Sequence, residues 1–328
     1  MSRFSFFQIS TFFVHYLFFA LRFYGTIGQR KSFVILERGK GMTYQNCTLC
    51  PRTCRVDRTA GQRGFCGGGD QAVVAKSMIH HWEEPCLAGE GGSGAIFFAG
   101  CTMKCSYCQN AAISRCPEKG DVHDSESLRA LMEELIAQGA ENIDLVTPTH
   151  YLPTILPALE KKLPVPVVYN CGGYERVTTV ESLAGKVDIF LPDFKYYDNR
   201  LAVKYSAAPD YFKVATRAIE AMVKIAGPVK WEGDKVVSGV IIRHLVLPGH
   251  LENTYSFLDW VADTFAKGEV LVSLMAQYTP MGEQDPPMDR PLTPAEYDAA
   301  VGWMQFCGLE GFVQELSSAD EAFIPDFN

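Results

Sequence analysis

The chain has no excess of positive charge. Its 30 lysine and arginine residues are outnumbered by 38 aspartate and glutamate residues, which gives a formal net charge of −8. General binding to nucleic acid requires clustered cations that neutralise phosphate groups. We therefore predict that nucleic acid is not a partner of this protein.

The cysteine content does not fit a disulfide-bonded scaffold. The 328 residues contain 11 cysteines, an odd number, and small secreted scaffolds carry their paired cysteines in far shorter chains. Reduced thiols that serve as metal ligands fit this count better. The composition therefore predicts a cytoplasmic protein with metal-binding cysteines.

Nucleotide-binding loops are also missing. No Gly-x-x-x-x-Gly-Lys-Ser/Thr phosphate loop occurs in the sequence. Gly89, Gly91 and Gly94 match the spacing of a dinucleotide-binding fingerprint, but they precede a predicted strand instead of following it. They cannot present a helix N-terminus to a pyrophosphate there, and we interpret them as a flexible connection.

The N-terminus lacks an uninterrupted apolar run. Residues 4–24 are crowded with Phe and Tyr, but Ser, Gln, Thr and His15 interrupt them, whereas a spanning helix needs about 20 predominantly apolar residues. We interpret residues 1–41 as an apolar extension outside the functional chain. Membrane anchoring through residues 4–24 is the alternative.

From residue 94 onward, short apolar runs alternate with helical patterns, which predicts parallel strands joined by helical crossovers. The predicted strands are 94–100, 142–147, 165–170, 187–192, 240–248 and 271–276. Helices are predicted within residues 125–139, 211–226 and 294–307. About six units are too few for an eight-unit barrel, so the α/β fold is either a partial barrel or a doubly wound sheet.

Residues 42–90 form a Cys-rich segment with many glycines and no long apolar run. Such a small segment needs a metal or a neighbouring domain for order. Four of its cysteines follow the pattern Cys-x2-Cys-x3-Cys-x11-Cys, which fits a second metal site of zinc or iron–sulfur type. Spacing alone does not distinguish the two metals. These candidate ligands are Cys47, Cys50, Cys54 and Cys66.

The most specific motif is a group of three cysteines directly after the first predicted barrel strand. Cys101, Cys105 and Cys108 lie within eight residues, at the strand end where α/β enzymes carry their chemistry. Three ligands on a 4Fe-4S cluster leave one iron open for a small molecule, whereas four would close it. The alternatives are a structural zinc site completed by Cys116, and reduced, partly buried thiols.

This Cys-x3-Cys-x2-Cys motif, with Tyr107 before its last cysteine, resembles the radical S-adenosylmethionine (SAM) superfamily. The flanking sequence resembles homologues of pyruvate formate-lyase-activating enzyme, the PflX-like group. The matching segments are CTLCPRTC at 47–54, GQRGFC at 61–66, HWEEPC at 81–86 and FIPDF at 323–327. The resemblance covers about residues 42–328. It implies a partial (β/α)6 TIM-like barrel over residues 91–328, preceded by the Cys-rich metal-binding segment.

The resemblance also implies the cofactors. Cys101, Cys105 and Cys108 would ligate three irons of a 4Fe-4S cluster, and the amino and carboxylate groups of SAM would bind the fourth. Reductive cleavage of SAM would release a 5′-deoxyadenosyl radical, which abstracts hydrogen from a substrate. In such enzymes the protein positions the reacting atoms and excludes water.

Further cofactor-binding residues follow from the same resemblance. Tyr107 would lie near the adenine. Asp193 and Lys195 resemble the Asp-x-Lys of the fourth strand in the activating enzymes, and Arg243 stands upstream of a segment that resembles their fifth strand.

The sequence departs from the superfamily at the second strand. The usual Gly-Gly-Glu, which contacts the amino group of the cofactor, is replaced by residues 147–150 (TPTH). The hydroxyls of Thr147 and Thr149 are the candidates to replace it. His150, His244 and His250 follow strands as well, but a lone histidine is more often a structural hydrogen-bonding residue.

By analogy with the activating enzymes, the substrate would be a glycyl residue of a partner enzyme, and the electron donor a flavodoxin or ferredoxin. Fold-level analogy does not fix a substrate, so a small molecule or a peptide is the alternative. A non-enzymatic, metal-stabilised binding or electron-transfer module is the hypothesis from another class.

Overall fold

The computed structural model describes residues 4–7, 42–316 and 327. Most of the apolar run at 4–24 and residues 323–326 of the last family-like segment lie outside the described residues. Within the described ranges, no helix combines the length and the apolar character needed to cross a bilayer.

The chain alternates strands and helices. The strands are β1 Phe4–Phe7, β2 Ala72–His80, β3 Ser93–Phe98, β4 Asp121–His123, β5 Asn142–Val146, β6 Val167–Cys171, β7 Ile189–Pro192, β8 Lys230–Glu232, β9 Lys235–Leu245, β10 Leu271–Met275 and β11 Gly311–Gln314. The helices are α1 Pro85–Ala88, α2 Ala111–Ser114, α3 Ser125–Ala137, α4 Leu152–Ala158, α5 Val177–Glu181, α6 Asn199–Ser206, α7 Tyr211–Ala226, α8 Leu251–Thr264 and α9 Pro294–Phe306. Short 3-10 turns occur at Arg58–Ala60 and Thr149–Tyr151.

Six parallel strands form the centre of one sheet, in the order β3-β5-β6-β7-β9-β10. Each of the six predicted apolar runs contributes one of them, so that prediction is confirmed. β11 continues the parallel order beyond β10, and β2 pairs antiparallel with β3 at the other side. Among the described strands the sheet does not close on itself.

The sheet is curled around an interior cavity. In a flat sheet, β3 and β11 would stand roughly 29 Å apart, because six strand spacings of about 4.8 Å separate them. Yet Phe97 of β3 and Gln314 of β11 line the same cavity, and Gln109 Nε2 donates to the carbonyl of Gln277 at 2.9 Å across the gap. The α/β partial barrel is therefore confirmed, and the doubly wound sheet is excluded.

The helices form where the sequence predicts them. Leu128, Met132 and Leu135 bury one face of α3, and α7 spans the whole predicted range 211–226. The Thr293 side chain caps α9 by accepting from the Glu296 amide at 3.3 Å, which confirms the predicted capping box. These caps and apolar faces fix the helices against the sheet.

The Cys-rich segment is divided by the fold. Residues 42–71 contain no strand and a single 3-10 turn, whereas residues 72–80 form β2 and pair with β3 in the main sheet. β2 was not predicted from the sequence, because the polar residues at its centre break the apolar pattern. The short strands β4 and β8 carry mostly exposed side chains and gave no apolar signal either.

Candidate active site

The cysteine motif begins where β3 ends. Gly100 adopts a φ of +81°, and a Cβ there would lie 2.7 Å from the carbonyl oxygen of Cys66, so the turn requires glycine. This turn directs Cys101, Cys105 and Cys108 into one interior cavity of about 260 Å³. The structure thus brings the three predicted cluster ligands together.

Hydrogen-bond donors point at two of these thiols. The backbone amide of Met103 donates to Cys101 Sγ at 3.3 Å, and Ser206 Oγ donates to Cys105 Sγ at 2.9 Å. Ser206 comes from the end of α6 and was not predicted from the sequence. Donors of this kind orient metal-binding thiolates and tune their electron density.

Two of these thiols, Cys101 and Cys105, hold their protons more tightly than a free cysteine does. Burial raises the pKa of Cys101, and the neighbouring thiols of Cys105 and Cys108 raise it further. Burial also raises the pKa of Cys105, although the ammonium group of Lys195 opposes the rise. Since thiolates are the metal-binding form, iron would supply the charge that stabilises them here.

A fourth cysteine, Cys171, also lines the cavity. Burial is the largest cause of its raised pKa. The negative charges of Glu175 and Asp193 raise the pKa further, and the positive charge of Arg243 lowers it. Cys171 belongs to β6 and not to the loop that carries Cys101, Cys105 and Cys108.

An ionic chain crosses the cavity from the thiols. Lys195 Nζ lies 2.7 Å from Asp193 Oδ2, and Arg243 Nε lies 2.8 Å from Asp193 Oδ1. Burial alone would raise the pKa of Asp193, but Arg243 and Lys195 hold it below its usual value. Burial alone would lower the pKa of Lys195, but Asp193 and Cys105 raise it. All three predicted residues are therefore brought together in charged form.

This row of ion pairs ends, on the side away from Lys195, in an acidic region that was not predicted from the sequence. Arg243 Nη1 lies 3.0 Å from Glu83 Oε1, and Arg243 Nη2 donates to Asn170 Oδ1 at 2.6 Å. Asn170 Nδ2 in turn donates to Asp144 Oδ2 at 3.2 Å. Glu83 and Glu84 line the cavity. Both lie in the HWEEPC segment. Their adjacency, directly before a proline, is the sequence feature that could have predicted an acidic site.

The structure separates the two predicted threonines. Thr147 lines the cavity and adopts a φ of +59°. Thr149 is 1% exposed and does not line the cavity. Its hydroxyl donates to Glu175 Oε1 at 2.6 Å and accepts from the Tyr169 hydroxyl at 3.1 Å. Of the two threonines, only Thr147 is therefore available to a cofactor in this cavity.

The remaining predicted residue, Tyr107, is 5% exposed and lines the cavity. Its hydroxyl lies 2.7 Å from the Tyr196 hydroxyl, which lies 2.6 Å from Ser206 Oγ. These contacts hold the Tyr107 ring beside the thiol loop. His150 and His244 are buried and bond to backbone carbonyls, as expected of structural histidines.

The second cysteine set has a different environment. Burial raises the pKa of Cys50 to about 12, and the amide of Phe65 donates to Cys54 Sγ at 3.3 Å. The loop folds around Arg58, which is 1% exposed, donates to the carbonyl of His150 at 2.5 Å and stacks 4.4 Å from the Tyr44 ring. Arg58 is therefore an internal support of this loop.

No three His, Cys, Asp or Glu side chains, in the part of the chain that the structure describes, form a group that could hold a metal ion. The geometry thus gives no support to a zinc site in either cysteine set, and Cys116 is exposed. The fit of a 4Fe-4S cluster rests instead on donor chemistry, because three thiols face one cavity and each would bind a separate iron.

Comparisons with known proteins bear on the thiol loop. Residues 87–153 match the 4Fe-4S single cluster domain. This segment contains Cys101, Cys105 and Cys108, and the match supports the predicted 4Fe-4S cofactor. The chain is also 29% identical over 272 residues to an uncharacterised protein of Methanocaldococcus jannaschii. The alignment covers 79% of this chain and 74% of that protein.

Solved structures show limited likeness to this chain. Streptococcus suis SuiB aligns with a TM-score of 0.46 and 11% identity, covering 69% of this chain. The chain spans half the length of SuiB. A spore photoproduct lyase variant aligns with a TM-score of 0.43 and 13% identity, covering 66% of this chain and 74% of the lyase. Both TM-scores are below 0.5, so these two structures do not indicate the function of this chain.

Proposed function

We propose that this protein is a radical SAM enzyme that holds a 4Fe-4S cluster through Cys101, Cys105 and Cys108. The observation that carries the proposal is the direction of these three thiols, all from one loop, into one cavity. The match of residues 87–153 to a 4Fe-4S domain supports the cluster. Three protein ligands leave one iron for an exchangeable molecule.

When bound, the reduced cluster and SAM together supply a carbon-centred radical that takes a hydrogen atom from a substrate. The protein's own contribution is position and charge. Lys195 stays protonated beside the thiols because Asp193 neutralises it at 2.7 Å. Its N–H groups are suited to the carboxylate of SAM, and the buried Tyr107 ring provides a flat apolar surface for the adenine.

We further propose, at a finer level, that the substrate is a glycyl residue of a partner protein and that flavodoxin or ferredoxin donates the electron. The support is the resemblance of the 47–54, 61–66 and 81–86 segments to the activating-enzyme homologues. The 81–86 segment lines the cavity with Glu83 and Glu84, and the 61–66 segment reaches the Gly100 turn through the Cys66 carbonyl.

Product analysis tests the proposal. The protein is reconstituted with iron and sulfide without oxygen, reduced with dithionite and incubated with SAM, and 5′-deoxyadenosine is quantified by chromatography. We expect stoichiometric iron and 5′-deoxyadenosine above the level of a protein-free control. Bound zinc, or a cluster that yields no 5′-deoxyadenosine, would contradict the proposal and favour a binding or electron-transfer module.

A further inference from the structure

The cavity has two chemically different ends. The three cluster-binding thiols follow the C-terminal end of β3, whereas Glu83 and Glu84 precede α1, which leads into the N-terminal end of the same strand. Both glutamates line the cavity. Asp193 and Arg243 link these glutamates to Lys195 beside the thiols. We call the part of the cavity around Glu83 and Glu84 its acidic end.

The acidic end carries more carboxyl groups than cations. The groups in contact along the ionic chain are the carboxyls of Glu83, Glu84, Asp144 and Asp193 and the cations Lys195 and Arg243. The ion pairs of both cations go to Asp193 and Glu83. Asp144 accepts from the neutral amide of Asn170 and shares a hydrogen bond with Glu83. Among the described residues, neither Glu84 nor Asp144 forms an ion pair of its own, although the charge of Arg243 acts on both.

Glu84 is a buried carboxyl group with unmet bonding capacity. Its side chain lines the cavity and is 2% exposed, and Oε2 accepts no hydrogen bond of good geometry, although the Ser273 hydroxyl lies near enough to act on the carboxyl group. Asp144 Oδ1 is also buried without a partner. A buried polar atom without a partner is costly. Burial raises the pKa of Glu84 to about 8, so it holds a proton when nothing is bound.

We infer that the acidic end of the cavity binds a cationic nitrogen group of the substrate, a primary ammonium or a guanidinium, with Glu84 as its acceptor. The inference rests on the proposed function in that the ligand of this cavity is then the substrate of the radical. On binding, an N–H of the cation donates to Glu84 Oε2, and the proton of Glu84 is released to solvent. A charge-assisted hydrogen bond replaces an unpaired buried oxygen.

A matched pair of small probes tests the inference. Pentylamine and 1-pentanol have nearly the same size, but only the amine is cationic. Their binding to the reconstituted, oxidised protein is measured at pH 7 by ligand-observed NMR, with SAM present. We expect pentylamine to bind roughly tenfold more tightly than 1-pentanol, since a hydrogen bond to a charged group contributes about 1.5–3 kcal/mol.

Two variants locate the effect. In Glu84→Gln, which keeps the shape of the side chain, we expect the preference for the amine to disappear. In Glu220→Gln, an exposed position on α7, we expect it to persist. Calorimetry of wild type in buffers of different ionisation enthalpy should show proton release with pentylamine. Equal affinity for both probes, or an unchanged preference in Glu84→Gln, would overturn the inference.

Two further experiments test whether SAM or a metal ion, and not the substrate, binds at the acidic end. SAM has an amino group of its own, so competition between SAM and pentylamine would assign Glu84 to the cofactor and overturn the inference. Displacement of pentylamine by millimolar Na⁺ but not by tetramethylammonium would assign a metal-ion site and overturn it as well. If pentylamine shows no preference but 5′-deoxyadenosine still forms, the substrate inference fails and the proposed function stands.

Discussion

The two cysteine sets contain the same reactive group in opposite surroundings. Cys101, Cys105 and Cys108 lie on a loop after a barrel strand and face a cavity that also contains the ammonium group of Lys195. The thiols at 47–66 lie in a segment without strands that is folded around the internal Arg58. The first set therefore borders space for a ligand, whereas the second set is packed within a loop. Cysteine spacing alone did not distinguish these roles.

Removal of one thiol from each set should separate the roles most strongly. Cys101→Ala removes one of three cluster ligands, so we expect loss of bound iron and a fall of 5′-deoxyadenosine formation to background. Cys47→Ala and Cys50→Ala should retain the absorbance of the cluster held by the 101–108 loop. Iron analysis and visible spectroscopy of the reconstituted variants measure this.

Cys171→Ala is the matched control, because Cys171 lines the same cavity but belongs to β6 and not to the 101–108 loop. We expect it to retain the cluster and its activity. Loss of the cluster in Cys171→Ala, or its retention in Cys101→Ala, would show that the ligand set is wrong.

Arg58 tests the structural role of the second set. Arg58→Met removes the donors to the carbonyls of His150 and Gly69 and the stacking on Tyr44. We expect the free energy of unfolding to fall by about 3 kcal/mol, since buried carbonyls lose their partners. Anaerobic urea denaturation measures the change. Arg63→Met, at an exposed position of the same loop, should change stability by less than about 0.5 kcal/mol; equal effects would contradict the structural role.

The stability of the region behind the second set should depend on pH through Glu175. Burial raises the pKa of this carboxyl to about 8, so the folded chain holds a proton that the unfolded chain releases near pH 4.5. The stabilisation is complete at low pH and is lost as the pH rises towards 8. Glu175→Gln should therefore flatten the decline of the unfolding free energy between about pH 5 and 8, by up to about 1.4 kcal/mol per pH unit. Identical pH slopes would contradict the raised pKa.

The smallest effect is expected at Ser206. Ser206→Ala removes the hydrogen bond to Cys105 Sγ, which favours the more negatively charged, reduced cluster. We expect the midpoint potential to fall by roughly 20–60 mV, the equivalent of one ordinary hydrogen bond. An EPR-monitored redox titration measures it, with Ser106→Ala as comparison because Ser106 Oγ donates to Gln284 Oε1 at 3.1 Å and not to a thiol. An unchanged potential would show that Ser206 does not influence the cluster.

Local patterns predicted most of the fold. The six apolar runs became the central parallel strands, and α3, α7 and α9 lie where caps and apolar faces placed them. The exposed strands β4 and β8 escaped detection because periodicity reports burial. Whether the sheet curls into a barrel depends on contacts across the interior, which short windows of sequence do not contain.

The site was predictable where chemistry is concentrated in one motif. The cysteine loop, Asp193, Lys195 and Arg243 meet as expected, but Thr149 faces Glu175 because one turn of 3-10 helix, Thr149–Tyr151, carries it away from the cavity. Glu84 and Ser206 were missed for another reason. Their roles arise from neighbours 101 or more residues away, which only the folded chain brings together.

Mössbauer spectroscopy of protein reconstituted with ⁵⁷Fe tests the central claim most directly, which is that the cluster has three cysteine ligands and one accessible iron. We predict that SAM changes the isomer shift of one iron in four and leaves the other three unchanged. Four irons that stay equivalent when SAM is added would contradict it.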